Sequence, residues 1–140
     1  MMLISILAAA LGTGQLVSAQ GFVANCSWQV GVLADSFLGM YCHDDDWERF
    51  NYDWTWLDTN ACLTNHGGML YPRGAGNYWP TCGNCSVRGS HVEFLLSCDC
   101  LNTGGHFTPA TYDLNRVVWN HNGSLGCFNY VGNKTDRGPL

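Results

Sequence analysis

The chain is short of charge, and shortest of positive charge. Only 12% of its 140 residues are charged, six Lys and Arg stand against eleven Asp and Glu, and Lys134 is the sole lysine. At a net charge of −5 it has no basic stripe with which to neutralise phosphate backbones, so nucleic acid is not expected as a partner. Its longest apolar run, residues 3–12, is too short to span a bilayer, so membrane insertion is not expected either. It also lacks the motifs of catalysis: no nucleophile with a base beside it, no paired-carboxylate cleft, no open metal site, and no evident partner for His91 or His106. Neither an enzyme nor a cofactor is therefore expected. What is abundant is apolar, at 46%, with 13% aromatics and 17 Gly, a composition that folds and favours turns and strands. The length suits one ordinary domain or two very small ones.

The N-terminus reads as a secretory leader. The apolar run is followed by small residues that end on Val17, Ser18 and Ala19, an A-x-A-like cleavage pattern. Residues 1–19 are thus expected to be removed, leaving a secreted, extracellular product. All eight cysteines (Cys26, Cys42, Cys62, Cys82, Cys85, Cys98, Cys100 and Cys127) lie beyond that cut, in a compartment where disulfides persist. Zinc is the rival for Cys82 and Cys85 facing Cys98 and Cys100, but a CxxC with a CxC only half matches ribbon spacing, and oxidising surroundings favour bridges. Four sequons, at Asn25, Asn84, Asn122 and Asn133, are candidate glycosylation sites on the same route.

Self-comparison is the most informative operation on this sequence. Asn65, His66, Gly68 and Leu70 line up with Asn120, His121, Gly123 and Leu125, and Asp58 and Asn60 with Asp113 and Asn115, all at an offset of 55. An offset of 56 matches Cys26 to Cys82, Leu38 to Phe94, Met40 to Leu96 and Cys42 to Cys98. Two tandem copies follow, at about 22–76 and 77–130, within a domain of 20–130 and ahead of a polar tail, 131–140, expected to be mobile. A unit that small rarely closes a core alone, so the copies are expected to share one or to exchange elements. Val92, Phe94, Leu96 and Cys98 alternate with polar residues, as Leu38, Met40 and Cys42 do more weakly, which predicts half-buried strands. Asp113 is a capping residue ahead of a short helical turn, and Asn122-Gly123 is a hairpin signal.

The repeat also constrains the bridges. Symmetry predicts Cys26–Cys42 and Cys82–Cys98 as equivalent pairs. Cys85 and Cys100 correspond to Gln29 and Asp44, so both thiols are absent together from the first copy, and they are expected to bond to each other. Cys62 and Cys127 then pair between copies, which predicts intertwined halves.

These residues resemble the cyanovirin-N homology family: two tandem copies, each with a Cys, a strand ending in Cys, an Asp-x-Asn turn and Asn-x-x-Gly-x-Leu, over residues 25–128. Residues 112–125 are similar to the family's second-copy signature at almost every defining position, whereas the first copy has Thr59 where a leucine is usual. Cys62, Cys85, Cys100 and Cys127 resemble the additional cysteines of secreted fungal members. The resemblance implies an all-β, pseudo-twofold fold with exchanged hairpins and a non-catalytic lectin for mannose-rich glycans or glycoproteins, needing no metal, as a monomer or a domain-swapped dimer. It implies one sugar site near Ala24, Asn25, His43, Asp45, Asn120, His121 and Asn122. A second would gather Asn65, His66 and Gly67 with Asn77, Pro80 and Thr81, plus Asp99, Leu101 and Thr103. Gly67, Pro80 and Leu101 stand where the family's best-known binder has charged side chains, so the first site is preferred.

Sugar recognition needs amide and carboxylate groups that meet vicinal hydroxyls in pairs and an apolar surface for the C–H face of the ring. Asn and Asp at these positions could supply the first, and Trp47 or Trp79 the second. Asp58 and Asp113 read better as turn caps, Asn65 and Asn120 equally well as caps or contacts. Trp47, Trp54 and Trp56 read better as core or its cover than as a platform. The His43-Asp44-Asp45-Asp46 run departs from calcium-loop spacing and reads as a solvated acidic loop. The alternative function is a secreted effector or structural protein that keeps the scaffold without sugar binding, with a small hydrolase ranked below both.

Overall fold

The computed structural model describes residues 21–44 and 52–135. The expected leader, residues 1–19, the acidic residues Asp45 and Asp46, Trp47 and residues 136–140 lie outside the described residues. The first copy opens with a three-stranded antiparallel meander, β1 (Val32–Ala34), β2 (Phe37–His43) and β3 (Tyr52–Asp58), followed by a 3-10 turn at Thr59–Ala61 and the hairpin β4 (Leu63–His66) and β5 (Met69–Pro72). The second copy repeats the plan with β6 (Cys82–Gly89), β7 (Phe94–Leu101), β8 (Phe107–Asp113), a 3-10 turn at Leu114–Arg116, and the hairpin β9 (Trp119–His121) and β10 (Ser124–Cys127). Short strands β11 (Tyr130–Val131) and β12 (Asn133–Thr135) follow.

The period-two pattern sets which face is buried. Leu38, Met40 and Cys42 of β2 and Phe94, Leu96, Cys98 and Cys100 of β7 point into one continuous core. Val92, expected in that alternation, is 75% exposed and precedes the strand. Each meander ends where an aspartate caps the turn: one oxygen of Asp58 accepts from the Asn60 N–H, and one of Asp113 from the Asn115 N–H, both at 3.0 Å. The capping reading of these aspartates holds.

The hairpins are exchanged. The β9–β10 hairpin seats on the first copy, where the Leu125 N–H donates to Thr55 Oγ1 at 3.0 Å, and the β4–β5 hairpin seats on the second, where Thr108 Oγ1 reaches the Gly68 carbonyl at 3.5 Å. The Cys62–Cys127 disulfide ties the copies together with its Cα atoms 5.7 Å apart. One core therefore spans both copies, as their size requires.

Two expectations need correction. The second-copy bridges are Cys82–Cys100 and Cys85–Cys98, not Cys82–Cys98 and Cys85–Cys100. Antiparallel partners nest: Cys82 lies opposite Cys100, and an irregularity between Gly83 and Ser86, with Asn84 at φ 56°, slides Cys85 across from Cys98. The crossed pairs would be diagonal neighbours about 7–8 Å apart, beyond what a disulfide spans. Symmetry misled because the first copy spends Trp28–Val30 on a 3-10 turn, whereas β6 stays extended and reaches two residues farther along its partner. The other correction concerns the tail. Its first residues are built into the structure: Asn133, Lys134 and Thr135 pair with Trp56, Thr55 and Trp54 as a fourth strand beside β3.

Candidate functional site

Both hairpin tips are two-residue turns whose geometry demands left-handed backbone. Gly67 and Gly68 have φ of 63° and 95°, and Asn122 and Gly123 have 54° and 88°, as the Asn-Gly signal predicts. The asparagine preceding each turn locks it. Asn65 Oδ1 accepts from the Gly68 N–H at 2.8 Å, and Asn120 Oδ1 accepts from the Gly123 N–H at 2.9 Å. The same side chains staple each tip to the opposite copy: Asn120 Nδ2 donates to the His43 carbonyl at 2.9 Å, and Asn65 Nδ2 donates to Thr81 Oγ1 and the Leu101 carbonyl, both at 3.0 Å. Their amides are consumed by the fold, so the capping reading fits both better than direct sugar contact.

At the first tip the structure brings together Asn120, His121, Asn122 and His43. Asn25 lies one residue beyond the Cys26–Cys42 bridge, with His43 one residue beyond it on the partner strand. The two aspartates beside the turn are Asp44, read from the sequence as part of a solvated acidic loop, and Asp53, which is not among the expected site residues. A Cβ added at Gly123 would lie 2.9 Å from Asp53 Oδ2 and 3.0 Å from the Asp44 Cβ. Asp53 also holds the lone lysine, Lys134, at 3.0 Å. Asp45 lies outside the described residues. The signal that could have found Asp53 is the register that sets it opposite Cys42, next to the predicted His43.

At the second tip Asn65, Thr81, Gly67, Leu101 and Thr103 do come together, with the Thr103 methyl 4.0 Å from where a Gly67 Cβ would stand. His66 packs edge-on against Tyr71 at 5.8 Å. The Asp99 carboxylate accepts from Asn84 Nδ2 at 3.3 Å. Asn77 is not part of this tip: it faces a groove with Asp58 and Asn60, in left-handed backbone at φ 56°. The Asp53 carboxylate stands beside the first tip, whereas the atoms nearest a Cβ at Gly67 or Gly68 of the second belong to Thr103, Thr108 and Asn102. The four sequon asparagines are all exposed.

Three solved structures share this fold. The T. borchii CVNH protein is 23% identical, with 77% of this chain and 99% of that one covered at a TM-score of 0.62. Microvirin, solved in a mannobiose complex, is 20% identical over 77% and 98% at 0.60. A variant of MoCVNH3, solved with (N-GlcNAc)4, is 16% identical over 79% and 98% at 0.66. No curated protein sequence matches the chain. A profile of the CVNH domain matches residues 14–127, most of the chain, and covers both copies, both exchanged hairpins and all eight bridged cysteines: the chain belongs to the CVNH domain family.

Proposed function

We propose that this protein is a secreted, non-catalytic lectin that binds mannose-type glycans at the β9–β10 hairpin tip. The observation that carries the reading is the clamped Asn122-Gly123 turn set against Asp44 and Asp53. Carboxylate oxygens accept from adjacent sugar hydroxyls with charge-assisted strength, and a turn held by the fold loses little entropy on binding. His121 and Asn122, both exposed, complete the polar rim. The mannobiose complex of microvirin supports the ligand class, and the (N-GlcNAc)4 complex supports a neutral oligosaccharide more broadly. Full pairing of the described cysteines fits an oxidising, extracellular compartment.

Titration of the oxidised protein with mannobiose, followed by amide chemical shifts, tests this. Saturable shifts at Asp44 and residues 121–123, lost in His121→Ala/Asn122→Ala, are expected. A folded sample that is silent to mannobiose and to a mannoside array would favour the scaffold-only reading, which the internally spent amides of Asn65 and Asn120 make the second choice.

A further inference from the structure

Away from both tips, the waist of the molecule carries two adjoining hollows of about 340 and 530 Å³, each of a size that small-molecule sites have. They share Ala61, Ala75 and Tyr130. The walls come from different copies and are fixed by the bridge between them. Ala61 precedes Cys62 and Phe128 follows Cys127, so the disulfide sets their separation. The floor is closed by backbone bonds, from the Ala75 N–H to the Ala61 carbonyl at 3.0 Å and from the Asn77 N–H to the Asn60 carbonyl at 2.8 Å. The groove is therefore pre-formed.

Its most costly feature is Phe128. This residue is the first of two turn residues between β10 and β11 and holds φ at 53°, a conformation natural to glycine and strained for a bulky aromatic. It is also 48% exposed, and Tyr130 beside it 43%. A side chain that strains the backbone while about half of it stays in water gains only part of the burial that would offset the strain, and such outliers cluster at ligand sites. Polar groups converge on the same hollows. No hydrogen bond among the described residues engages the side-chain amides of Asn77 or Asn129. Asp58 spends one oxygen on Ser36 and Asn60, leaving its second as an acceptor.

We propose that this waist groove is a separate binding site for a neutral pyranose. The C–H face of the sugar lies on Phe128 and Tyr130, and its vicinal hydroxyls meet Asp58, Asn77 and Asn129. Aromatic faces with paired amide and carboxylate acceptors match a ring that is apolar on one side and hydroxylated at its rim. The Asp58 carboxylate and the net charge of −5 disfavour phosphorylated and acidic sugars. The choice of a sugar as ligand rests on the lectin reading above; the location does not depend on the hairpin tips.

The test is an amide-shift titration of the oxidised protein with mannobiose and, separately, with (N-GlcNAc)4. Saturable shifts at Ala61, Ala75, Asn77 and residues 128–130, in a set distinct from residues 121–123, are expected with at least one sugar. Tyr130→Ala and Phe128→Gly should each weaken the groove at least tenfold and leave the tip shifts unchanged. Shifts at the tip alone overturn the groove and spare the lectin reading; shifts at neither overturn both. Groove shifts that persist undiminished in both variants also overturn the assignment.

Discussion

The two copies build the same meander and stabilise it differently. The outer face of the first-copy sheet is aromatic: Tyr41 stacks on Tyr52 at 5.2 Å and tilts against Trp54 at 5.5 Å, and Trp54 stacks on Trp56 at 6.3 Å. The matching positions of the second copy, Ser97, Phe107, Pro109 and Thr111, carry no such row of stacked rings; Ser97 and Thr111 share a hydrogen bond at 3.0 Å across β7 and β8. The first sheet has one disulfide, Cys26–Cys42, and the second has two. Rings that stack on one another turn their faces inward, so this aromatic row serves as cover for the sheet and not as a platform for sugar. The copy with one bridge fewer relies on stacked rings instead.

Removing bridges should break this comparison most visibly. Cys62→Ser/Cys127→Ser opens the longest loop, with a sequence separation of 65, and should cost about 4 kcal/mol in urea unfolding. Cys85→Ser/Cys98→Ser opens a separation of only 13 and should cost about 3 kcal/mol, reducing the second copy to the single bridge of the first. Trp54→Ala should cost a similar amount, about 3 kcal/mol, if the stack does for one copy what the second bridge does for the other. A Trp54→Ala protein as stable as the parent would mean that the rings are ornamental.

The copies differ again at one core position. Tyr78 and Phe22 are repeat equivalents, both fully buried. Phe22 packs edge-on against Phe94 at 5.4 Å, while the Tyr78 hydroxyl shares a 2.7 Å hydrogen bond with Thr59, the residue standing where its counterpart is Leu114. The first copy's departure from the family pattern at Thr59 is thus one half of a polar pair. Burial, reinforced by the nearby Asp58 charge and only partly offset by the Thr59 bond, pushes the Tyr78 phenol up to about 12 from 10.0. The folded state favours the protonated phenol, so its stabilisation is complete below pH 10. It falls as the unfolded chain ionises, and is lost by about pH 12. The loss should reach 2 to 3 kcal/mol. Tyr78→Phe/Thr59→Leu, which installs the residues found at the equivalent positions, Phe22 and Leu114, should abolish this tyrosine's share of the alkaline decline; a decline unchanged in the double variant would place its origin elsewhere.

How much of this could be read in advance follows the range of each interaction. The strands, the capped turns after Asp58 and Asp113 and the Asn122-Gly123 turn were legible because local periodicity and turn chemistry dictate them. Hairpin exchange was legible through the repeat, because Cys62 had no partner within its own copy. The nested pairing of Cys82 with Cys100 was not, since it depends on a single irregularity at Asn84 that no alternation reveals. Nor was the Asp53 carboxylate beside Gly123. Asp53 reaches that turn only because a hairpin some 70 residues later folds back over its strand.

The tip asparagines sharpen the comparison more finely. Asn65 makes one more short side-chain hydrogen bond than Asn120, to Thr81. Asn65→Ala should therefore cost about 1 kcal/mol more than Asn120→Ala. Each should loosen its hairpin, read as faster amide exchange at Gly68 or Gly123. Equal costs would mean that the Thr81 contact contributes nothing.

The smallest effect expected is a gain. After β5 the first copy turns through Arg73 and Gly74, where no positive φ falls on a bulky residue; after β10 the second copy places Phe128 at 53°. Phe128→Gly removes strain of about 1–3 kcal/mol and adds back about 0.5–1 kcal/mol of glycine's unfolded-state entropy. The variant should thus unfold about 1 kcal/mol harder than the parent. A Phe128→Gly protein that is less stable would show that the ring holds the waist together, and the strain would then belong to folding and not to binding.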